Sequence, residues 1–83
     1  MTLLYFAWLR QKIGCSEENL PLPAHVHTIA ELAEFLRGRG AGYAEAFADP
    51  GRLRAARNQD HVTFDVKLRD EDEIAFFPPV TGG

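Results

Sequence analysis

The chain has 83 residues, 46% of them hydrophobic and 25% charged, a length that allows one domain around one core. Its formal net charge is −3, and no dense Lys/Arg run offsets it locally, which argues against nucleic acid or an anionic membrane as a partner. The single cysteine, Cys15, excludes an internal disulfide and favours a reducing, cytoplasmic location.

The opening segment, residues 2–9, is rich in aliphatic and aromatic side chains on both alternating faces. This pattern predicts a central strand that is covered on both sides. Charged residues from Arg10 onward interrupt the apolar run too early for a signal or membrane segment. Gly14 marks a turn, and residues 17–22 are predicted as a second strand, so that the two strands form an N-terminal hairpin.

A capping box predicts where the main helix begins. The hydroxyl of Thr28 can accept an early helix N–H, and Glu31 can reach back to the N–H of the cap residue. Apolar residues then recur at helical spacing and predict one stripe that packs on the sheet: Ile29, Leu32, Ala33 and Leu36. Gly38 and Gly40 are expected to end the helix in left-handed conformations, before a short second helix at residues 43–48.

The second half of the chain is predicted to be mostly strand. Residues 53–57 and 62–64 are predicted as strands around a tight turn at 58–60. Residues 73–77 form the last strand. The resulting order indicates an α+β fold with a mixed sheet of four to five strands packed on one main helix, which is the order of a β-grasp, or ubiquitin-like, domain.

The last residues carry the strongest functional signal. We expect residues 1–77 to form the domain and residues 78–83 to form a flexible, extended tail. Pro78 and Pro79 favour polyproline geometry, which projects the following residues away from the sheet. The four residues that follow span about 13–14 Å when extended. They are Val80, Thr81, Gly82 and Gly83. Because glycine has no side chain, a narrow pocket of another protein could close around the tip.

The carboxylate of Gly83 is the predicted reactive group. It is an anion at neutral pH and a poor electrophile, so it requires activation, which an ATP-dependent partner could supply by forming an acyl-adenylate. The chain itself is expected to bind no cofactor. Its glycine-rich run at residues 38–42 follows a helix and lacks the P-loop Lys-Ser/Thr pair. His25 and His27 lack a third ligand candidate, so no metal site is predicted.

Residues 72–83, which include Phe-Phe-Pro-Pro-Val-Thr-Gly-Gly, closely resemble the C-terminus of the molybdopterin synthase small-subunit family, the sulfur carriers of molybdenum-cofactor synthesis. The likeness extends over the whole chain and includes the Thr28-capped helix and the Asn58-Gln59 turn. Glu71 departs from the pattern, since many members have glycine there. The resemblance implies a subunit that is inert by itself, with pterin binding and the transfer step residing mainly in the large catalytic subunit.

The resemblance also implies a reaction cycle. An E1-like adenylyltransferase adenylates Gly83, using its own ATP, and a sulfur donor then converts the adenylate into a thiocarboxylate. The tail, docked in the large subunit, donates that sulfur to cyclic pyranopterin monophosphate, and two deliveries build the dithiolene of molybdopterin. In this family, two large and two small subunits form a heterotetramer.

Partner binding is assigned to residues near the tail. Ile74 and Phe76 most simply face the core, which leaves Phe77 exposed as an anchor for a partner, the alternative being that it caps a small core. Phe6 has the same two interpretations, with burial in the core favoured. Arg10 matches a family position associated with contacts to the activating enzyme.

Other interpretations stay open on the sequence alone. Arg52 and Arg54 share a predicted strand face and could meet an acidic partner, although an isolated arginine pair is more often solvated. The tail chemistry would also suit a carrier for thiamine synthesis or tRNA thiolation, or a ubiquitin-like modifier that forms an isopeptide bond through Gly83. A third possibility is a plain β-grasp binding module whose tail does no chemistry.

Overall fold

The computed structural model describes residues 1–79. Their regular elements, in chain order, are β1 (Thr2–Tyr5), α1 (Trp8–Ile13), β2 (Glu17–Asn19), α2 (Ile29–Arg37), α3 (Ala41–Ala46), a 3₁₀ helix (Pro50–Arg52), β3 (Arg54–Arg57), β4 (Asp60–Val62) and β5 (Glu73–Phe77).

The strands form one mixed sheet in the order β2-β1-β5-β3-β4. The two central strands, β1 and β5, run parallel, and every other neighbouring pair is antiparallel. One long helix, α2, contributes its apolar stripe to the core. The predicted α+β fold with a ubiquitin-like β-grasp sheet is therefore confirmed.

The main helix begins where the sequence predicts. The Thr28 hydroxyl accepts the N–H of Glu31 at 3.2 Å, and the Glu31 carboxylate accepts the N–H of Thr28 at 3.2 Å, so the capping box is complete. The predicted stripe is buried, with Ile29, Leu32 and Leu36 fully inaccessible and Ala33 nearly so. It packs in one cluster with the inward residues of β1 and β5, which are Leu3, Tyr5, Ile74 and Phe76.

The first strand is shorter than predicted. It ends at Tyr5, because Ala7 has a positive φ of 56° that interrupts the extended backbone, and α1 follows at once. Leu9 points from α1 into the core, so the apolar run continues as a helix. The expectation of a strand covered on both sides is also wrong, since Leu3 and Tyr5 are buried while Leu4 is only half-buried.

The N-terminal hairpin forms with this helix inside its connection. β2 pairs antiparallel with β1 and spans three residues, fewer than predicted. Gly14 ends α1 with a φ of 96°, and its N–H donates to the carbonyl of Arg10 at 2.8 Å. The predicted turn glycine is thus the cap of a helix.

Two glycines and one strand differ from prediction. Gly38 has a φ of −83° and is not left-handed, whereas Gly40, with a φ of 154°, precedes α3. β4 spans Asp60–Val62 instead of residues 62–64. The reason is the tight two-residue turn at Asn58 and Gln59, both with positive φ, which lets Asp60 pair directly with Arg57.

Two short helices, α1 and α3, pack closely at a glycine. A Cβ atom added to Gly42 would overlap the backbone carbonyl oxygen of Lys12. An ion pair between Lys12 and Glu45 at 3.2 Å joins the same two helices at the surface. The two helices can approach this closely because residue 42 has no side chain. Gly42, one residue of the glycine-rich run, therefore has a packing role.

Replacing Gly42 by alanine should destabilise the protein by about 1–3 kcal/mol, because backbone atoms of two helices must move apart to admit the methyl group. Gly38→Ala is the matched control, since its added Cβ meets only one atom, at 3.6 Å, and its φ suits alanine. Chemical denaturation measures both free energies of unfolding. Equal stability of the two variants would contradict the packing role.

A hydrogen-bonded cluster around Glu18 connects β2, β1 and α3. One carboxylate oxygen of Glu18 accepts the hydroxyls of Tyr5 at 2.7 Å and Tyr43 at 2.6 Å, and the other accepts an N–H of Arg39 at 2.8 Å. Burial and the bond to Glu18 raise the pKa of Tyr43 to about 12, and they raise the pKa of Tyr5 well above its ordinary range. Both tyrosines therefore remain donors at physiological pH.

Folding favours the ionised form of the Glu18 carboxyl group. Its partial burial would raise the pKa of the carboxyl, but the hydrogen bonds from Tyr43, Arg39 and Tyr5 together lower that pKa below its ordinary value. A group with a lowered folded pKa stabilises the protein above its unfolded pKa, and this contribution is lost as pH falls through the folded value.

Glu18→Gln should lower the free energy of unfolding at neutral pH by about 1–2 kcal/mol, because the charge-assisted bonds weaken around the buried Tyr5 hydroxyl. The difference from wild type should shrink as pH falls below the ordinary carboxyl pKa of 4.5, where the unfolded chain gains its proton first. Unfolding titrations across pH measure this difference. Glu17→Gln, at an exposed position of the same strand, is the control, and a difference that does not change with pH would contradict the account.

Candidate functional site

The candidate site lies where β5 ends. Because β1 and β5 are parallel, both strands finish at the same end of the sheet. The antiparallel β3 starts at that end, with Arg54 opposite Phe77. Pro78 and Pro79 follow β5 directly and are half-buried. The other proposed tail residues, Val80, Thr81, Gly82 and Gly83, lie outside the described residues.

The start of β5 is fixed by a buried carboxylate. Asp72 is 6% exposed and accepts the side-chain N–H of Asn58 at 3.0 Å and the backbone N–H of Arg69 at 2.8 Å. Asn58 in turn accepts the backbone N–H of Glu73 at 2.9 Å. These bonds connect the β3–β4 turn to β5, so they set the register of the strand that leads to the tail.

The side chains on the two faces of β5 differ in burial, as the alternation predicts. Ile74 and Phe76 are fully buried against α2, whereas Phe77 lies on the opposite face and is half-buried. The ring of Phe77 lies 5.2 Å from the ring of His61 on β4. Phe77 therefore has an accessible surface on the side of the sheet that α2 does not cover.

Phe6 is the exposed large apolar side chain among the described residues, at 48%. Its backbone N–H donates to the carbonyl of Phe76 at 3.1 Å, which holds it beside the end of β5. The favoured interpretation, burial of Phe6 in the core, is wrong. β1 ends at Tyr5, just before Phe6, and within this strand only Leu3 and Tyr5 are buried in the core.

Small and apolar residues lie next to Phe6 and Phe77 on the open sheet face. The register aligns Leu4, Ala75 and Ala56 in one row on this face. Ala56 is only 7% exposed although it lies outside the core cluster, so its neighbours on the open face cover it. Leu4 and Ala75, which are half-buried, therefore add to the accessible apolar surface that Phe6 and Phe77 provide near the base of the tail.

Three arginines lie near this edge. Arg10 is exposed on α1, and Arg52 belongs to the 3₁₀ helix instead of sharing a strand face with Arg54, which corrects that prediction. Within residues 1–79, no carboxylate lies within salt-bridge distance of Arg10, Arg52 or Arg54. Their charges are therefore available to an acidic partner.

A cleft of about 460 Å³ borders the base of the tail. Its lining includes Trp8, Arg52, Pro78 and Pro79. Sequence reasoning missed Trp8 as a site residue, because it was assigned to a strand. Its true position, at the first residue of α1, follows from the interruption at Ala7, which no glycine or proline marks.

Other site chemistries find no geometric support in the part of the chain that the structure describes. No three His, Cys, Asp or Glu residues of this part are grouped as a metal site would require. The ring of His25 instead packs edge-on against Phe35 at 6.0 Å. No helix of residues 1–79 is long and apolar enough to cross a membrane.

Comparison with known proteins gives one consistent picture. The profile of the ThiS family matches residues 3–83. The molybdopterin synthase sulfur carrier subunit of Escherichia coli is 41% identical over 81 residues, covering 98% of this chain and 96% of the relative.

Two solved structures share the fold over nearly their full lengths. A Pyrococcus furiosus protein named as subunit 1 of a molybdopterin converting factor is 31% identical, with a TM-score of 0.74 and 95% of each chain covered. SAMP1 from Haloferax volcanii has the same TM-score of 0.74 at 25% identity, with 100% of this chain and 98% of the other covered.

Proposed function

The chain belongs to the ThiS family, and from this membership we propose that it is the sulfur carrier subunit of a molybdopterin synthase. The observation that carries the proposal is the 41% identity to the bacterial sulfur carrier subunit over 98% of this chain. The ThiS family profile matches residues 3–83, which include the Phe-Phe-Pro-Pro-Val-Thr-Gly-Gly terminus. The same likeness supports a large catalytic subunit as a partner.

The proposed chemistry takes place at the carboxylate of Gly83. An oxygen of this carboxylate attacks the α-phosphorus of ATP on an E1-like adenylyltransferase, and pyrophosphate leaves. A sulfur donor at the oxidation level of sulfide then attacks the acyl carbon, and AMP leaves with the carboxylate oxygen. The product is a thiocarboxylate, a sulfur nucleophile on a carrier arm.

The described geometry supports the carrier role at the base of this arm. β5 is an inner strand that pairs with β1 on one side and with β3 on the other, and Phe77 at its end pairs with Arg54, so the strand that leads to the tail is fixed in the sheet. An arm whose base is fixed loses less freedom when it enters a pocket, and pre-placing a nucleophile near its substrate lowers the entropic cost of reaction.

The transfer step would take place in the large subunit. There the thiocarboxylate sulfur would form a bond to cyclic pyranopterin monophosphate, and water would then cleave the acyl carbon–sulfur bond, which leaves the sulfur on the pterin and returns Gly83 to its carboxylate. Two such deliveries would supply the two sulfurs of the dithiolene. The open sheet face provides the docking surface, with Phe6 and Phe77 as the apolar contacts. Arg10 is proposed to contact the activating enzyme, and its exposure on α1 leaves it accessible.

Coexpression with the activating system should add about 16 Da to the chain, since one oxygen of Gly83 is replaced by sulfur. Deletion of Gly83 should abolish this gain without changing the unfolding transition, because a terminal glycine contributes little packing. Intact-mass spectrometry measures both variants. A gain equal to a whole protein would identify a modifier instead, and full synthase activity of the deletion variant would refute the proposal.

Phe77→Ala should weaken binding to the large subunit by about 2 kcal/mol or more if Phe77 is a hot-spot anchor. Phe35→Ala, a half-buried phenylalanine on α2, is the matched control and should leave the affinity unchanged. Isothermal titration calorimetry gives both affinities, and thermal unfolding checks that each variant is folded. Equal affinities for the two folded variants would remove Phe77 from the interface.

A further inference from the structure

A second cleft adjoins the base of the tail and has no assigned role. It lies between α1, α3 and the 3₁₀ helix, has a volume of about 610 Å³, and has Trp8, Ala46, Ala48 and Arg52 in its lining. Trp8 and Arg52 also line the smaller cleft that reaches Pro78 and Pro79. The two clefts share these residues in their linings, and we call them together the Trp8 cleft.

The walls of the Trp8 cleft are fixed by short-range packing. Gly42 allows α3 to approach the backbone of α1 at Lys12, and the Lys12–Glu45 ion pair joins the two helices beside the cleft. At the other end, a side-chain oxygen of Asp49 accepts the N–H of Gly51 at 3.1 Å and so holds the 3₁₀ helix that carries Arg52. The cleft is therefore formed before any partner binds.

The larger cleft has one large aromatic ring, Trp8, and charged residues of both signs in its lining, which are Lys12, Glu45, Asp49 and Arg52. The smaller cleft beside Pro78 and Pro79 combines Trp8 with the positive charge of Arg52, and its lining among the described residues includes no carboxylate. Trp8 is half-buried, so part of its ring remains accessible, while the small side chains of Ala46 and Ala48 leave room beside it. Arg52 has no carboxylate within salt-bridge distance among residues 1–79. Tryptophan and arginine are the residue types most enriched among interface hot spots.

The position of the cleft indicates what covers it. Pro78 and Pro79 form part of the wall of the smaller cleft together with Trp8 and Arg52, so a protein that binds the chain next to Pro79 lies beside these two side chains. The open sheet face lies on the other side of the same strand end. A partner that receives the tail can therefore contact both sides of its base.

We propose that the Trp8 cleft is a second docking site for the large subunit, which inserts an apolar side chain against Trp8 and places a carboxylate against Arg52. The inference rests on the proposed function, because it assumes that the large subunit receives the tail. It adds a contact surface away from Phe6 and Phe77, and it specifies an acidic, apolar-tipped segment of the partner.

Trp8 is the chain's single tryptophan, so it can report directly on the cleft. We would incorporate 5-fluorotryptophan into the full-length protein and record its fluorine NMR signal while titrating the large subunit, which is not labelled. The proposal predicts that the signal shifts and broadens in step with binding measured by calorimetry. Binding without any change of the signal would overturn it.

Substitutions test the energetic contribution of the cleft. Trp8→Ala and Arg52→Glu should each weaken large-subunit binding by roughly tenfold or more, and the effect of Arg52→Glu should diminish as salt rises. Arg37→Glu on α2 makes the same charge change at a residue already paired with Glu34, and it should change the affinity less than about threefold. Thermal unfolding identifies any variant that is not folded, and Trp8→Phe, which retains an aromatic ring, replaces Trp8→Ala in that case.

Sulfur loading by the activating enzyme separates the two proposals. The Trp8 and Arg52 variants should gain the mass of the thiocarboxylate as wild type does. Normal loading with unchanged large-subunit affinity would overturn the second docking site and leave the proposed function intact. Impaired loading with unchanged large-subunit affinity would also overturn it, and would assign the cleft to the activating enzyme.

Discussion

The parallel pairing of β1 with β5 at the centre of the sheet is the constraint on which the rest of the structure depends. Two parallel strands finish at the same end of a sheet, so the segment after β1 and the segment after β5 become neighbours although 70 residues lie between Phe6 and Phe77 in the sequence. An antiparallel pairing would place Phe6 and α1 at the opposite end from Pro78. This one pairing brings the residues of the proposed docking surfaces together at one end of the sheet.

The pairing also explains why the domain offers two different surfaces beside the same strand end. The chain turns at Ala7, with its positive φ, so Phe6 remains on the open sheet face while Trp8 begins a helix that packs on α3. The sheet face offers Phe6 and Phe77, and the helical side offers Trp8 and Arg52. A single partner that receives the tail can contact both surfaces without any movement of the core of this domain.

Elements with regular periodicity could be predicted from the sequence, whereas those set by a single backbone angle could not. The capping box predicts where α2 begins, and the apolar stripe predicts which face of the helix is buried. The alternation of side chains predicts the two faces of β5. α1 was missed because an apolar run on both parities does not distinguish a buried strand from a short helix, and the interruption falls on an alanine. The Trp8 cleft combines segments about 40 residues apart, so no local pattern reveals it.

The central claim is that Gly83 carries sulfur which the large subunit transfers to a pterin. The most direct measurement is a single turnover with protein that bears a radioactive sulfur at the Gly83 thiocarboxylate, mixed with the large subunit and cyclic pyranopterin monophosphate. The account predicts that the label moves into the pterin product while the carrier returns to its carboxylate form. Label that stays on the chain, or appears in a covalent bond to another protein, would contradict it.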